Sequence, residues 1–343
     1  MNVFRLIFSF FVGGGVLAAS AIQPAAADAI ADFYKNRTVT LYVGYGPGAG
    51  YDTYARTVAR HLGKHIPGNP NVIVVNRPGA GSLVLTNELY NVMPKDGTAF
   101  GLVARGVAME PLLGNEKAKF DARNFSWIGS ANKEVSLCIA WHNTPIRTFE
   151  DLFTEEMLVG GIGGDTNTFP KVLNHVLGTK LKLIAGYAGG GALALAMEQG
   201  EVQGRCGLSW STAKSHHWIA QEKVRILVQM SLEKHPDLPN VPLIMDYTKD
   251  ADARNALALV FAPQVMGRPF VAPPGVPADR VTALRDAFMA TMKDPQFLAE
   301  AKKQKLEINP ASGEQIAKLL RDIYGSSPRA VAIAREAISG SAR

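Results

Sequence analysis

Cysteine is nearly absent from this chain of 343 residues: there are two, Cys138 and Cys206, and neither belongs to a Cys-x-x-Cys. Zinc-ribbon and thioredoxin-like chemistry therefore have no sequence support. A strong charge of either sign is also missing, since 36 basic and 30 acidic side chains leave a net of +6. Arginine-rich runs and lysines interleaved with aromatics do not occur, which argues against a nucleic-acid groove. No Walker loop is present, so nucleotide-driven work has no engine here. Beyond residue 27, no window of about 18 residues is uncharged and apolar, and nothing there reads as a membrane span.

What the chain does contain begins at its first residues. Arg5 precedes an apolar stretch from Leu6 to Ala19, and Pro24-Ala25-Ala26-Ala27 sets small residues where a signal peptidase cuts. Residues 1–27 read as an export signal. The rival is an uncleaved anchor, for which the stretch is short and broken by Gly13-Gly14-Gly15. Export would place the mature chain outside the cytoplasm, where Cys138 and Cys206 either pair as a disulfide or remain two separately buried thiols.

Past the leader, strand-like and helix-like segments alternate. Val39 to Val43, Val72 to Val75 and Thr98 to Val103 read as strands, separated by helical stretches carrying Ala55, Val58, Ala59 and Leu62, then Leu85, Leu89 and Val92. The pattern restarts after Trp127-Ile128-Gly129, with strands near Leu137 to Trp141, Met157 to Gly160, Leu181 to Ile184, Val202 to Leu208 and Val224 to Met230. Thr148 reads as an N-cap with Asp151 three residues on. After the proline-rich passage His235 to Pro242, Phe270 to Ala272 reads as one more strand. Val281, Leu284, Phe288 and Met292 then share a helix face, and Ser312 with Gln315 forms a capping box. This order predicts an α/β fold of two lobes, each a mostly parallel sheet flanked by helices, with a cleft between them. The expected division is 28–130 for the first lobe, 131–250 for the second, and 251–343 for a return to the first.

Four glycine turns lie between a strand and a helix, where backbone amides can face an anion. They are Gly44 to Asp52, Asn76 to Ser82, Gly160 to Thr168, and Tyr187 to Gly191. Asp52 and Ser82 stand at helix starts as caps, Asp52 more as a structural residue than a ligand contact. Arg105 lies just past the third strand, and Arg205, Ser209 and Trp210 lie in or just past a strand of the second lobe, where side chains can reach a cleft. Each arginine would present a planar fork to a second carboxylate, or else form an ordinary ion pair, and Trp210 would be an apolar wall or core packing.

Enzyme readings are weaker. Gly44 to Ala49 matches a dinucleotide fingerprint, but Pro47 removes an amide and no acidic residue closes the second strand. Gly207-Leu208-Ser209-Trp210-Ser211 lacks the closing glycine of a nucleophile elbow. His61 and His65 stand four apart without the zincin glutamate. An exported hydrolase or dinucleotide-binding oxidoreductase using the same cleft is the alternative function.

A series of motifs in order resembles the Bug-type solute receptors of tripartite tricarboxylate transporters: Pro47-Gly48-Ala49-Gly50-Tyr51-Asp52 with Ala55-Arg56, Asn76-Arg77-Pro78-Gly79-Ala80-Gly81, and Pro94-Lys95-Asp96-Gly97-Thr98. Tyr187 with its glycines, Gly200-Glu201-Val202, Pro239-Asn240-Val241-Pro242 and Ala272 to Pro277 continue the series across the mature chain. The resemblance implies a two-lobed periplasmic receptor whose lobes close on a small organic carboxylate, and the expectation is a non-catalytic monomer without cofactor or metal. The resemblance also implies delivery to membrane permease subunits, and the sequence leaves a sensor protein open as another destination. Gly48, Ala49, Gly50 and Tyr51 would grip one carboxylate together with Gly163, Gly164, Asp165 and Thr166, with Tyr187 and Gly189 nearby. Ala49 departs from the usual glycine, and Ser82 after Gly81 would add a hydroxyl donor.

Overall fold

The computed structural model describes residues 23–48, 50–214 and 216–339. The expected leader lies almost wholly outside them. Elements of the first half are α1 (Gln23–Tyr34), β1 (Thr38–Val43), α2 (Gly50–Leu62), β2 (Asn71–Asn76), α3 (Leu83–Asn91), β3 (Ala99–Leu102), β4 (Ser126–Ser130), β5 (Ser136–Trp141), β6 (Met157–Gly161) and α4 (Asp165–Leu177). There follow β7 (Leu181–Ala185), α5 (Gly190–Gln199), β8 (Gly204–Ser209), α6 (Trp210–Ala213), α7 (His217–Ala220), β9 (Val224–Met230) and α8 (Ala251–Phe261). The remainder is β10 (Pro269–Ala272), α9 (Ala278–Thr291), α10 (Pro295–Lys303), β11 (Ala311–Ser312), α11 (Gly313–Tyr324) and α12 (Pro328–Ser339).

β1 shows why these segments become strands. Val39, Leu41 and Val43 are fully buried while Thr40 and Tyr42 between them are not, the alternation of a sheet with one face on a core. Against that face pack Tyr54, Ala55, Val58 and Leu62 of α2 and Val281, Leu284 and Phe288 of α9. Each large apolar side chain so buried contributes about 1.5–3 kcal/mol.

The strands form two sheets, ordered β11-β4-β10-β3-β1-β2 and β7-β6-β8-β5-β9. Both are mixed rather than mostly parallel. β1 pairs parallel with β2 and β3, but β10 lies antiparallel between β3 and β4, and β11 is antiparallel to β4. In the second sheet β6 is parallel to β7 and β8, whereas β5 runs antiparallel between β8 and β9. The reversed strands β5 and β10 are those by which the chain enters the second sheet and returns to the first. Their approaches cross side by side: Ala131 N donates to Arg268 O at 3.1 Å, Gly267 N to Asn132 O at 2.9 Å, and Glu134 N to Gln264 O at 2.7 Å.

Residues 251–343 do not all return to the first lobe, which corrects the expected division. α8 and α12 pack with α4, beside the second sheet. The reason is apolar cover: Phe169, Val172 and Leu173 of α4 are buried, and the Phe169 ring meets Phe261 of α8 edge-on at 4.9 Å. Cys138 and Cys206 face each other on β5 and β8 and are joined as a disulfide. Among the described residues, no helix is long and apolar enough to cross a membrane.

Candidate functional site

A cleft of about 900 Å³ opens between the sheets. Its first-sheet wall includes Gly50 and Tyr51 at the start of α2, and its second-sheet wall Gly163, Gly164, Asp165 and Thr166 at the start of α4. Asn167 N in the first turn of α4 donates to Gly164 O at 3.0 Å, but the amides of Asp165 and Thr166 before it have no acceptor within the helix, and Gly164 has no side chain to cap them. These two helix starts therefore turn partial positive charge toward one space. Gly207 of β8 makes the arrangement possible. Its φ is +93°, and a Cβ there would lie 2.9 Å from Asp165 C and Thr166 N, so α4 begins directly on the strand.

The first loop is held by Asp52. Its carboxylate accepts from Gly48 N and Asn76 Nδ2, both at 2.8 Å, and from Arg56 Nε at 3.0 Å. Burial pushes its pKa up, but these donors outweigh that and hold it below the usual carboxylate range. Tyr45 and Tyr51 stack beside the loop, ring centroids 4.4 Å apart, and burial raises the Tyr45 phenol far above its ordinary value.

Four arginines line the cleft against two acids, Glu110 and Asp165. Arg105, just past β3, reaches into the second lobe. Its Nε donates to Asp165 Oδ2 at 3.0 Å, Nη1 to Ser209 Oγ at 3.2 Å and Nη2 to Ser136 Oγ at 3.3 Å. Burial alone would lower its pKa, yet the Asp165 charge prevails and keeps the guanidinium protonated. Arg268, in the returning crossing, lies over the rings of Tyr51 and Tyr54 at 4.6 and 4.9 Å and donates to Gly267 O. Arg335 of α12 donates to Leu112 O at 2.9 Å. Arg205 differs from all three. It is 5% exposed, its Nε finds no acceptor, and among the described residues no hydrogen bond or ion pair holds its side chain.

The model of the tripartite tricarboxylate transporter family receptor matches residues 54–334. The chain belongs to that receptor family. A protein encoded in the ttuE–ttuC' intergenic region of Agrobacterium vitis is 26% identical over 297 residues, covering 82% of this chain and 79% of the relative. Among solved structures, a solute-binding protein of the same family from Polaromonas superposes with a TM-score of 0.68 at 22% identity, over 90% of this chain and 99% of that one. The periplasmic binding protein BugD gives 0.64 at 21% identity over 89% and 98%. A protein of R. palustris solved with adipate gives 0.64 at 17% over 87% and 97%. These likenesses establish the two-lobed periplasmic-binding-protein fold.

Of the residues expected in the receptor's site, Gly50, Tyr51, Arg105, Gly163, Gly164, Asp165, Thr166, Arg205 and Ser209 share the cleft. Ala49 lies outside the described residues. The others stand elsewhere. Gly48 is turned to Asp52, with φ +77°. Ser82 is a buried, left-handed residue whose side chain lies against Gly44, so it neither caps α3 nor donates to the cleft. Tyr187 donates to Glu201 at 3.5 Å, and Gly189 starts α5 away from the cleft lining. Trp210 is core, its Nε1 donating to Asp237 at 3.0 Å. No local pattern marks Arg268 or Arg335, which reach the cleft only through the returning crossing and the last helix, or Gln264, whose Nε2 donates to Asp165 Oδ2 at 3.5 Å beside it. His61 and His65 each meet a separate carboxylate, Glu300 at 2.7 Å and Asp294 at 2.9 Å.

Proposed function

We propose that this chain is an exported, periplasmic receptor that captures a small organic mono- or dicarboxylate between its lobes and delivers it to a membrane permease of the tripartite tricarboxylate type. One observation carries the reading: the starts of α2 and α4, from opposite lobes, open on a single arginine-rich cleft. In this reading residues 1–27 are the cleaved leader, and amides around Gly50, Tyr51, Gly163, Gly164, Asp165 and Thr166 take one carboxylate. The crossings at 131–135 and 264–268 serve as the hinge, and the ligand favours the closed state through its contacts to both walls. The adipate in the R. palustris relative lends support, as a carboxylate held by a protein of this fold. No catalytic step is required of the site.

A useful receptor binds at about micromolar Kd, roughly −8 kcal/mol, which charge-assisted hydrogen bonds and water exclusion can supply. At a hundred times that Kd an acid raises apparent stability by about 2.7 kcal/mol, so thermal-shift screening of a carboxylate panel should reveal it. Gly50 has open space where a side chain would project. Gly50→Val is expected to weaken the best acid about tenfold or more by calorimetry while leaving circular dichroism unchanged. A panel without one stabilising acid, or turnover of an ester or a nicotinamide cofactor, would replace the receptor reading with the enzymatic one.

A further inference from the structure

Arg205 is the cleft group that nothing else in the described protein employs. It sits on β8, two residues before the glycine on which α4 begins, and contributes to the cleft lining. Its neighbours on that wall, Ser209 and Thr212, are neutral, and Ser209 Oγ already accepts from Arg105. Buried Nε has no acceptor. The other three arginines are engaged by a carboxylate, aromatic faces or a backbone carbonyl. Burial lowers the Arg205 pKa to about 10, so it remains charged at neutral pH with nothing to balance it. His216 senses that charge: its pKa is lowered by burial and then by Arg205. That histidine is no counter-ion.

We propose that Arg205 is a specificity-determining residue that pairs with a second anionic group of the ligand, distinct from the carboxylate taken by the helix-start amides. This rests on the receptor reading above. Helix-start amides are suited to one head group, whereas a guanidinium offers parallel donors matched to a planar carboxylate. A cleft of about 900 Å³ holds more than one head group. An unbalanced buried charge also discriminates by penalty, because a neutral ligand end would seal the arginine from water without replacing its lost solvation.

The test uses calorimetry on the full mature protein with succinate, glutarate and adipate, each beside its own monoamide, which keeps the shape and removes one charge. The parent should prefer a dianion over its monoamide by about tenfold or more, and Arg205→Met should reduce that preference to within about threefold. Arg205→Lys, which keeps the charge but not the fork, should fall between them and serves as the readout if the methionine variant does not fold. No preference in the parent, or the same preference in Arg205→Met, overturns the assignment while leaving a carboxylate receptor intact. Binding of neither acids nor monoamides overturns both.

Discussion

Single positions carry much of the site. Gly207 combines a left-handed φ with backbone contact to α4, so an added methyl meets atoms that cannot rotate away. Gly207→Ala is expected to lose about 2–3 kcal/mol in urea denaturation and to weaken carboxylate affinity, because the start of α4 must move off β8. Arg205 makes the opposite trade. A charge buried without a partner burdens the free protein, so Arg205→Met should raise the ligand-free stability by about 1–4 kcal/mol. A lower Tm for that variant would mean that the guanidinium is already satisfied. The sequence marks Arg105, just past a strand, and Arg205, within one, as arginines that can reach a cleft, and does not separate them. One meets Asp165 and the other meets no acid, a difference made by a helix from another part of the chain.

At the scale of elements, local rules were well legible. The capping box at Ser312 and Gln315 is present in both directions, and the face of α9 buries Val281, Leu284 and Phe288. Thr148 shows the limit: Asp151 accepts from its amide at 2.9 Å, but only a short 3₁₀ turn, Glu150–Phe153, follows. Trp127-Ile128-Gly129, after which the strand pattern restarts, is the middle of β4, whose partners β10 and β11 come from far along the chain, and Gly129 lies against the Phe288 ring. The first glycine loop depends on the carboxylate form of Asp52, whose folded pKa is depressed. Its contribution is therefore present above the unfolded value near 4 and is lost as pH falls through the lower folded value. Asp52→Asn should cost about 1.5–3 kcal/mol at neutral pH and make the stability profile shallower below pH ~4, measured by denaturation at several pH values.

For the whole molecule, the lobes are tied by polar contacts as well as by the crossings. Arg105 joins β3 of one lobe to Asp165, Ser136 and Ser209 of the other. On another side Glu307 meets His235 Nε2 at 2.8 Å and Lys214 Nζ at 2.9 Å. Arg105→Gln removes roughly 1–3 kcal/mol of attraction between the lobes and should open the ligand-free protein, giving a larger radius of gyration in solution scattering. An unchanged radius would place control of opening in the crossings alone.

From the sequence came the alternation of strands and helices, the glycine turns between them and the caps, because each depends on neighbours within a few residues and on the periods of two and 3.6. Tertiary structure alone decided that β5 and β10 run against their sheets, that α8 and α12 cover α4, and that Arg105, Asp165, Arg205 and Arg268 face one space. Those outcomes follow from how two separately formed layers bury their remaining apolar faces, and no local period records which distant residues that packing brings together.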